Sequence, residues 1–228
     1  MSETASIVLV HGAWHGAWCW DKVVGLLDDA GIKSVAIDLP HTSLHDDVRA
    51  TTDALDSAGT RVVLCGHSYG GAVITEAGHH PAVEHLVYLT AFACDEGEST
   101  SATAVDANLP ATQLTDALIF SEDGTKLSLV PERAAELFYH DCDRADAEAA
   151  LPRLRPIDLS CVTTPSGAPA WRTKPSTYVV CSEDRGLHPE MQRHLAGRCA
   201  NAVEWPTAHS PFLNRPDLVA DLLTELAR

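Results

Sequence analysis

The sequence predicts an α/β protein with a mostly parallel sheet that has helices on both faces. Short apolar runs rich in β-branched residues, such as SIVLV at 6–10 and RVVLC at 61–65, alternate with helical patterns. Runs that are apolar throughout are typical of strands buried between two helical layers. The alternation stops near residue 95 and resumes near residue 176. We therefore expect one domain, with a core at 1–94 and 176–228 and a lid insertion at 95–175.

The elements of the first half follow from periodicity and from glycine and proline positions. Apolar spacing of three and four residues at 20–27 predicts the first helix, with Gly31 as its C-terminal cap. Pro40 ends the second strand and Pro81 ends the third helix. The strands are predicted at Ser6–Val10, Ser34–Leu39, Arg61–Cys65 and Leu86–Thr90, and the later helices at Asp46–Ala58 and Ala72–His80.

The second half contains the lid and the end of the core. The lid is expected to be mainly helical, because it has helical patterns at Glu132–Tyr139 and Ala145–Ala150 and no strand pattern. Proline in the first turn marks the start of the helix at Pro189–Gly197. The predicted core elements here are the strands Thr177–Cys181 and Ala202–Trp205 and the helices Pro189–Gly197 and Pro216–Ala227.

Composition excludes several classes of function. The net charge is −16, which disfavours binding to nucleic acid or to anionic membranes. No apolar run approaches the about 18 residues of a membrane span, and the N-terminus has no basic leader segment. The seven cysteines are an odd number without a C-x-x-C pair, which suits reduced thiols. We expect a cytoplasmic monomer or homodimer.

The clearest chemical motif is Gly66-His67-Ser68-Tyr69-Gly70-Gly71, which matches G-x-S-x-G. It lies directly after a predicted strand and directly before a predicted helix. In that setting the motif is a sharp turn that lifts a nucleophilic serine, Ser68, above the sheet. A serine hydroxyl needs a positioned base to react at neutral pH.

The base and the orienting acid are expected on loops after later strands. His209 follows the last strand and is a better candidate base than His188 or His194, which lie on or beside a helix. Asp184 follows the strand at 177–181, and we prefer it to its neighbour Glu183 because of its shorter side chain. Asp95, directly after the fourth strand, remains an alternative acid.

The turn after the first strand is expected to complete the site. The backbone N–H groups of Ala13 and Tyr69 are the candidate donors to an oxyanion, with Gly12 permitting close backbone approach. Candidate pocket residues are Gly12, Trp14, Phe120 and Trp171. This turn lacks G-x-G-x-x-G and a phosphate-binding lysine. The pairs His41/His45 and His79/His80 lack further ligands at metal-binding spacing. We therefore expect no cofactor and no metal.

Four blocks of the sequence resemble one superfamily. They are VLVHGAWHGAWCWDKVVGLLDDAGIKSVAIDLP at 8–40, CGHSYGGAVITEA at 65–77, VVCSEDRGLHPEMQRHLA at 179–196 and AHSPFLNRPDLVADLL at 208–223. They are similar to the α/β-hydrolase superfamily, in particular its small lidded branch of plant methylesterases, hydroxynitrile lyases and bacterial esterases. The resemblance implies that fold, with Ser68 as nucleophile, His209 as base, Asp184 as acid, and Ala13 and Tyr69 as oxyanion donors.

The same resemblance bears on the type of reaction. The lyases of this branch tend to carry threonine after the first-strand histidine and lysine after the catalytic histidine, where this chain has Gly12 and Ser210. Hydrolysis of a small carboxylic ester is therefore favoured. Two alternatives stay open. The first is a different reaction on the same fold, such as cleavage of a cyanohydrin or another C–C bond, opening of a lactone, or a tailoring step on a polyketide-like metabolite. The second is a non-catalytic protein that binds a small molecule.

Overall fold

The computed structural model describes residues 4–105, 109–110 and 112–228. The strands, in chain order, are β1 (Ser6–Val10), β2 (Ser34–Ile37), β3 (Val62–His67), β4 (Val83–Leu89), β5 (Leu118–Phe120), β6 (Lys126–Leu129), β7 (Ile157–Asp158), β8 (Ser176–Cys181) and β9 (Asn201–Trp205). The α-helices are α1 (Asp21–Asp29), α2 (Leu44–Ala58), α3 (Gly70–Ala77), α4 (Thr100–Ala104), α5 (Pro131–Phe138), α6 (Arg144–Ala150), α7 (Leu159–Thr163), α8 (Pro189–Ala196), α9 (Pro211–Asn214) and α10 (Pro216–Ala227). Short 3-10 helices occupy Ala17–Trp20, Gln113–Ala117, Leu151–Arg153 and Ala170–Arg172.

The main sheet confirms the predicted parallel architecture. Its order over the described residues is β2-β1-β3-β4-β8-β9, and every neighbouring pair is parallel. The chain passes from β1 to β2 on one side and then returns to β3 on the other side. Such a reversal opens a crevice at the carboxyl ends of β1 and β3, where open α/β sheets bind their ligands.

Helices cover this sheet and complete the core. Strands β3 and β8 are buried at every position, as their continuous apolar sequences require. Helix α1 packs against α10, and α2 packs against α3. None of the helices in the described part of the chain is both long enough and apolar enough to span a membrane. All seven cysteines are unpaired.

We call residues 95–175 the lid segment. Its described part is mainly helical, as expected, but it also contains strands, which the sequence did not predict. Besides the helices expected at α5 and α6, this segment contains a small antiparallel sheet in the order β5-β6-β7. Its strands are two to four residues long. Runs that short do not show a period of two clearly enough to be told from a loop. These strands therefore could not be predicted from the sequence.

Arg155 fixes the lid segment over the carboxyl edge of the main sheet. Its backbone N–H donates to the carbonyl oxygen of Trp14 at 2.9 Å. Its guanidinium donates to the carbonyl oxygens of His15 at 3.1 Å and Leu39 at 2.7 Å. These acceptors lie on the loops that follow β1 and β2. The lid segment is thus anchored directly beside the crevice.

Candidate active site

The predicted strand-to-helix turn is a tight one, with Ser68 and Tyr69 between β3 and α3. Ser68 has a φ of 51°, in the left-handed region that side-chain-bearing residues seldom adopt. Its N–H donates to the carbonyl oxygen of Leu89 at 3.3 Å. Its own carbonyl oxygen accepts from the N–H groups of Gly71 and Phe92, each at 3.0 Å. These bonds to the end of β4, the loop after it and the start of α3 hold the strained turn in place.

Two glycines make the turn possible because the backbone crowds them. A Cβ on Gly66 would lie 2.5 Å from the carbonyl oxygen of Gly70. A Cβ on Gly70 would lie 2.7 Å from the carbonyl oxygens of both Val10 and His11. Neither contact can be relieved by a side-chain rotation, so the turn requires glycine at both positions.

His209 and Asp184 meet at the same edge of the sheet. Nδ1 of His209 lies 2.7 Å from Oδ2 of Asp184, and both side chains are buried. The neighbouring Glu183 is exposed. Asp95 forms an ion pair with Arg172 on the lid segment. The structure therefore pairs the histidine with Asp184 and with neither of the alternative carboxylates.

The Asp184 carboxylate is surrounded by hydrogen-bond donors. Oδ1 accepts from the backbone N–H groups of Gly186 at 2.7 Å and Leu187 at 2.9 Å. Oδ2 accepts from the Thr90 hydroxyl and from Nε2 of Gln192 at 3.0 Å, in addition to the imidazole. Thr90 and Gln192 were not among the residues predicted for the site. These donors hold the carboxylate in a fixed orientation.

The imidazole is tied to the strand end that carries the serine. Nε2 of His67 donates to the carbonyl oxygen of His209 at 2.8 Å, and the two ring centroids are 4.7 Å apart. Phe138 from the lid segment also stacks on His209, with ring centroids 4.9 Å apart. Within the described residues, neither the Ser68 hydroxyl nor Nε2 of His209 makes a hydrogen bond. Contacts of this kind often tighten only when substrate binds.

Two unpaired backbone donors lie beside Ser68. The N–H groups of Ala13 and Tyr69 donate to no group in the described part of the chain, and both residues line the cavity above the serine. A Cβ on Gly12 would lie 2.8 Å from Cβ of Ser68 and from Nδ1 of His67. Glycine at this position therefore lets the β1 loop approach the turn closely enough to place the first donor.

The cavity over Ser68 has a volume of about 200 Å³ and lies between the core and the lid segment. None of its described lining residues carries a charged side chain. The core contributes Ala13, Trp14, Ser68, Tyr69 and Phe92. The lid segment contributes the hydroxyl residues Thr100, Ser101, Thr112 and Thr115 and the apolar residues Ala104, Val105, Leu114, Leu118, Phe120, Leu127, Leu159 and Val162. Such a lining suits an uncharged, mainly apolar ligand.

Two of the four residues expected in the pocket are placed elsewhere. Trp14 and Phe120 line the cavity, whereas Gly12 and Trp171 do not. Gly12 lies behind Ser68, where its role is to leave space. The indole N–H of Trp171 donates to the carbonyl oxygen of Cys94 at 2.9 Å, which holds the ring at the junction of lid and core.

Nearly the whole chain is similar to one known protein family. The sequence profile described as the alpha/beta hydrolase family matches residues 7–222. The chain belongs to the alpha/beta hydrolase family. The family fold accounts for a serine turn after β3 and for loops after β8 and β9 that reach the same edge.

Relatives of this alpha/beta hydrolase cover nearly its full length. Methylesterase 1 of Arabidopsis thaliana is 30% identical, over 96% of this chain and 95% of its own. The alpha/beta hydrolase nvfD of Aspergillus novofumigatus is 29% identical, over 97% and 96%. A pyrethroid hydrolase from Sphingobium faniae has a similar crystal structure, with a TM-score of 0.87 and 27% identity over 99% and 98% of the two chains.

Buried histidines lie behind the site of this alpha/beta hydrolase. Nδ1 of His15 donates to the carbonyl oxygen of Ala13 at 3.0 Å, and Nε2 accepts from the Tyr139 hydroxyl at 2.8 Å. Burial lowers the pKa of His15 to about 3 and that of His41 to about 2. Neither ring nitrogen of His41 has a hydrogen-bond partner in the described part of the chain.

These histidines are expected to make the fold sensitive to acid. The unfolded chain takes up their protons near pH 6.5, whereas the folded chain does not until its lower pKa values are reached. The free energy of unfolding should therefore fall as the pH drops from 7 to 5. Urea denaturation at several pH values measures this slope. In His41→Asn, which removes one titrating ring and suits the φ of 58°, the slope should be shallower. An identical slope would contradict the explanation.

Proposed function

We propose that this chain is a serine hydrolase that cleaves small carboxylic esters through an acyl-enzyme intermediate on Ser68. One observation carries the proposal. The buried pair of His209 and Asp184 lies at the same sheet edge as the strained Ser68 turn, next to unpaired backbone donors. Each group needed for acyl transfer is thus present at one place.

The first half of the reaction uses these groups in sequence. Asp184 accepts a hydrogen bond from the Nδ1–H of His209, which fixes the tautomer whose Nε2 is free to take the hydroxyl proton of Ser68. The Ser68 oxygen then attacks the ester carbonyl carbon. The negative charge that develops on the carbonyl oxygen is stabilised by the N–H groups of Ala13 and Tyr69. When the tetrahedral intermediate collapses, His209 returns the proton to the departing alcohol.

Water completes the cycle in the second half. His209 removes a proton from a water molecule that attacks the acyl group on Ser68, and the same backbone donors hold the second oxyanion. Collapse of this intermediate releases the carboxylic acid and regenerates the serine hydroxyl. The chemistry needs no cofactor, since the proton moves only between the serine, the histidine, water and the substrate.

The cavity supports an uncharged ester with apolar groups. No charged side chain lines its described part, and aliphatic side chains of the lid segment face the serine. Lysine and arginine are absent from the same lining, so no cation is present there to stabilise a cyanide ion as leaving group. This favours hydrolysis over cyanohydrin cleavage. The relatives named as methylesterase and pyrethroid hydrolase support an ester as substrate.

A fluorophosphonate probe tests the proposal directly. Ester turnover should stop when one probe molecule has reacted per chain, and peptide mass spectrometry should place the adduct on Ser68. Prior incubation with a hydrolysable ester should slow the labelling. Saturable binding of a small ester without turnover or labelling would instead support a non-catalytic binding protein. Mandelonitrile cleavage without esterase activity would support a lyase.

A further inference from the structure

Trp14 lies between two cavities. One is the cavity of about 200 Å³ above Ser68, and the other has a volume of about 110 Å³. Trp14 belongs to the lining of both, and within the described residues no other residue does. The other described residues that line the second cavity all belong to the lid segment, and Ser68 is not among them.

Hydrogen bonds and a ring contact hold Trp14 in a fixed position between the two cavities. Its indole N–H donates to the carbonyl oxygen of Leu127 at 3.2 Å. The backbone carbonyl of Trp14 accepts from the N–H of Arg155 at 2.9 Å. Phe138 stacks against the ring, with centroids 6.1 Å apart and planes inclined by 29°. Trp14 also has a φ of 64°, an unfavourable conformation for a side-chain-bearing residue, which these contacts maintain.

The lining of the second cavity suits a hydrocarbon chain. Its lining includes Leu129, Leu151 and Leu154 together with prolines. Arg155 also lines it, but the guanidinium is already engaged. It donates to a carboxylate oxygen of Asp38 at 3.0 Å and to backbone carbonyl oxygens of the core. The cavity therefore offers apolar surface and no uncommitted charge for an anionic group.

We propose that Trp14 determines the maximum length of ester that the enzyme accepts. The indole closes the catalytic cavity at the side of the oxyanion donor Ala13, so the apolar arm of the substrate ends against it. Without the indole, the two cavities would join, and a longer arm would extend into the space lined by Leu151 and Leu154. This inference rests on the proposed esterase function and adds the feature that selects among esters.

The test compares two series of esters, p-nitrophenyl esters of increasing acyl length and acetates of increasing alcohol length. The main variant is Trp14→Gly, because glycine adopts the positive φ without strain. The ratio of kcat/KM for the eight-carbon ester to that for the shortest ester should rise at least roughly tenfold in one series. Trp14→Phe, which keeps an aromatic ring at the position, should show a much smaller rise.

A blocking variant separates the second cavity from a general loosening of the site. Adding Leu154→Phe to Trp14→Gly should refill the second cavity and return the ratio towards the wild-type value. Leu154→Phe alone should leave the wild-type ratio unchanged, since Leu154 does not line the catalytic cavity. Thermal melting checks that each variant is folded. If Trp14→Gly is unfolded, Trp14→Leu is used in its place and the same ratios are measured.

The outcomes distinguish this inference from the proposed function. If the folded variants hydrolyse the short ester while both length ratios stay at the wild-type value, Trp14 is not the partition and the inference is overturned. A rise that Leu154→Phe does not reverse also overturns it, because the added length then lies outside the second cavity. Failure of the wild type to hydrolyse any ester refutes the proposed function, and the inference with it.

Discussion

Replacing Ser68 by alanine is expected to lower kcat for p-nitrophenyl acetate by a factor on the order of 10⁵ to 10⁶. The change removes the attacking oxygen and leaves the rest of the site in place. Alanine and serine pay a similar conformational free energy to adopt a φ of 51°, so the turn and the fold should persist. KM should change little, since the cavity and both backbone donors are retained. Steady-state kinetics and thermal melting measure these quantities.

A matched control makes the loss specific to position 68. Ser34 also carries a buried hydroxyl, and that hydroxyl has no hydrogen-bond partner in the described part of the chain. It lies on β2, away from the carboxyl-edge site. Ser34→Ala should therefore keep kcat within about twofold of the wild type. If Ser68→Ala retains the wild-type rate, another group performs the attack and the proposed mechanism is wrong.

The core and the candidate site could be predicted from the sequence because both follow from the order of strands along the chain. In a parallel sheet all strands end at the same edge. A serine after β3, an aspartate after β8 and a histidine after β9 therefore had to come near each other. The glycines at 66 and 70 added a local requirement that the structure explains by backbone contacts of 2.5 and 2.7 Å.

Contacts between segments that are distant in the chain could not be predicted from the sequence. Gln192 lies on the amphipathic helix α8, and nothing in the pattern of that helix indicates that its amide reaches Asp184. Trp171 was expected in the pocket from its lid position and aromatic ring. Its orientation depends on a hydrogen bond to a residue 77 positions earlier. The strands of the lid segment are too short for a periodic signal. Each of these features depends on tertiary packing that a single sequence does not display.

Replacing Asp184 by asparagine is expected to lower kcat by about 10⁴-fold while the chain stays folded. Each oxygen of the carboxylate faces donors only. Oδ2 accepts from the imidazole, from Gln192 and from Thr90, and Oδ1 accepts from backbone N–H groups. The amide NH₂ of asparagine would therefore meet a donor in either orientation.

Each orientation has a cost, which appears either in the kinetics or in the stability. If the NH₂ faces His209, Nδ1 becomes the acceptor and the proton moves to Nε2, which then cannot take the serine proton. If the NH₂ faces the backbone N–H groups, two donors are left unsatisfied in a buried site, and the melting temperature should also fall. Asp95→Asn is the matched control, because Asp95 is the alternative carboxylate and pairs with Arg172. It should keep nearly full activity. A large loss in Asp95→Asn together with normal activity in Asp184→Asn would reverse the assignment of the acid.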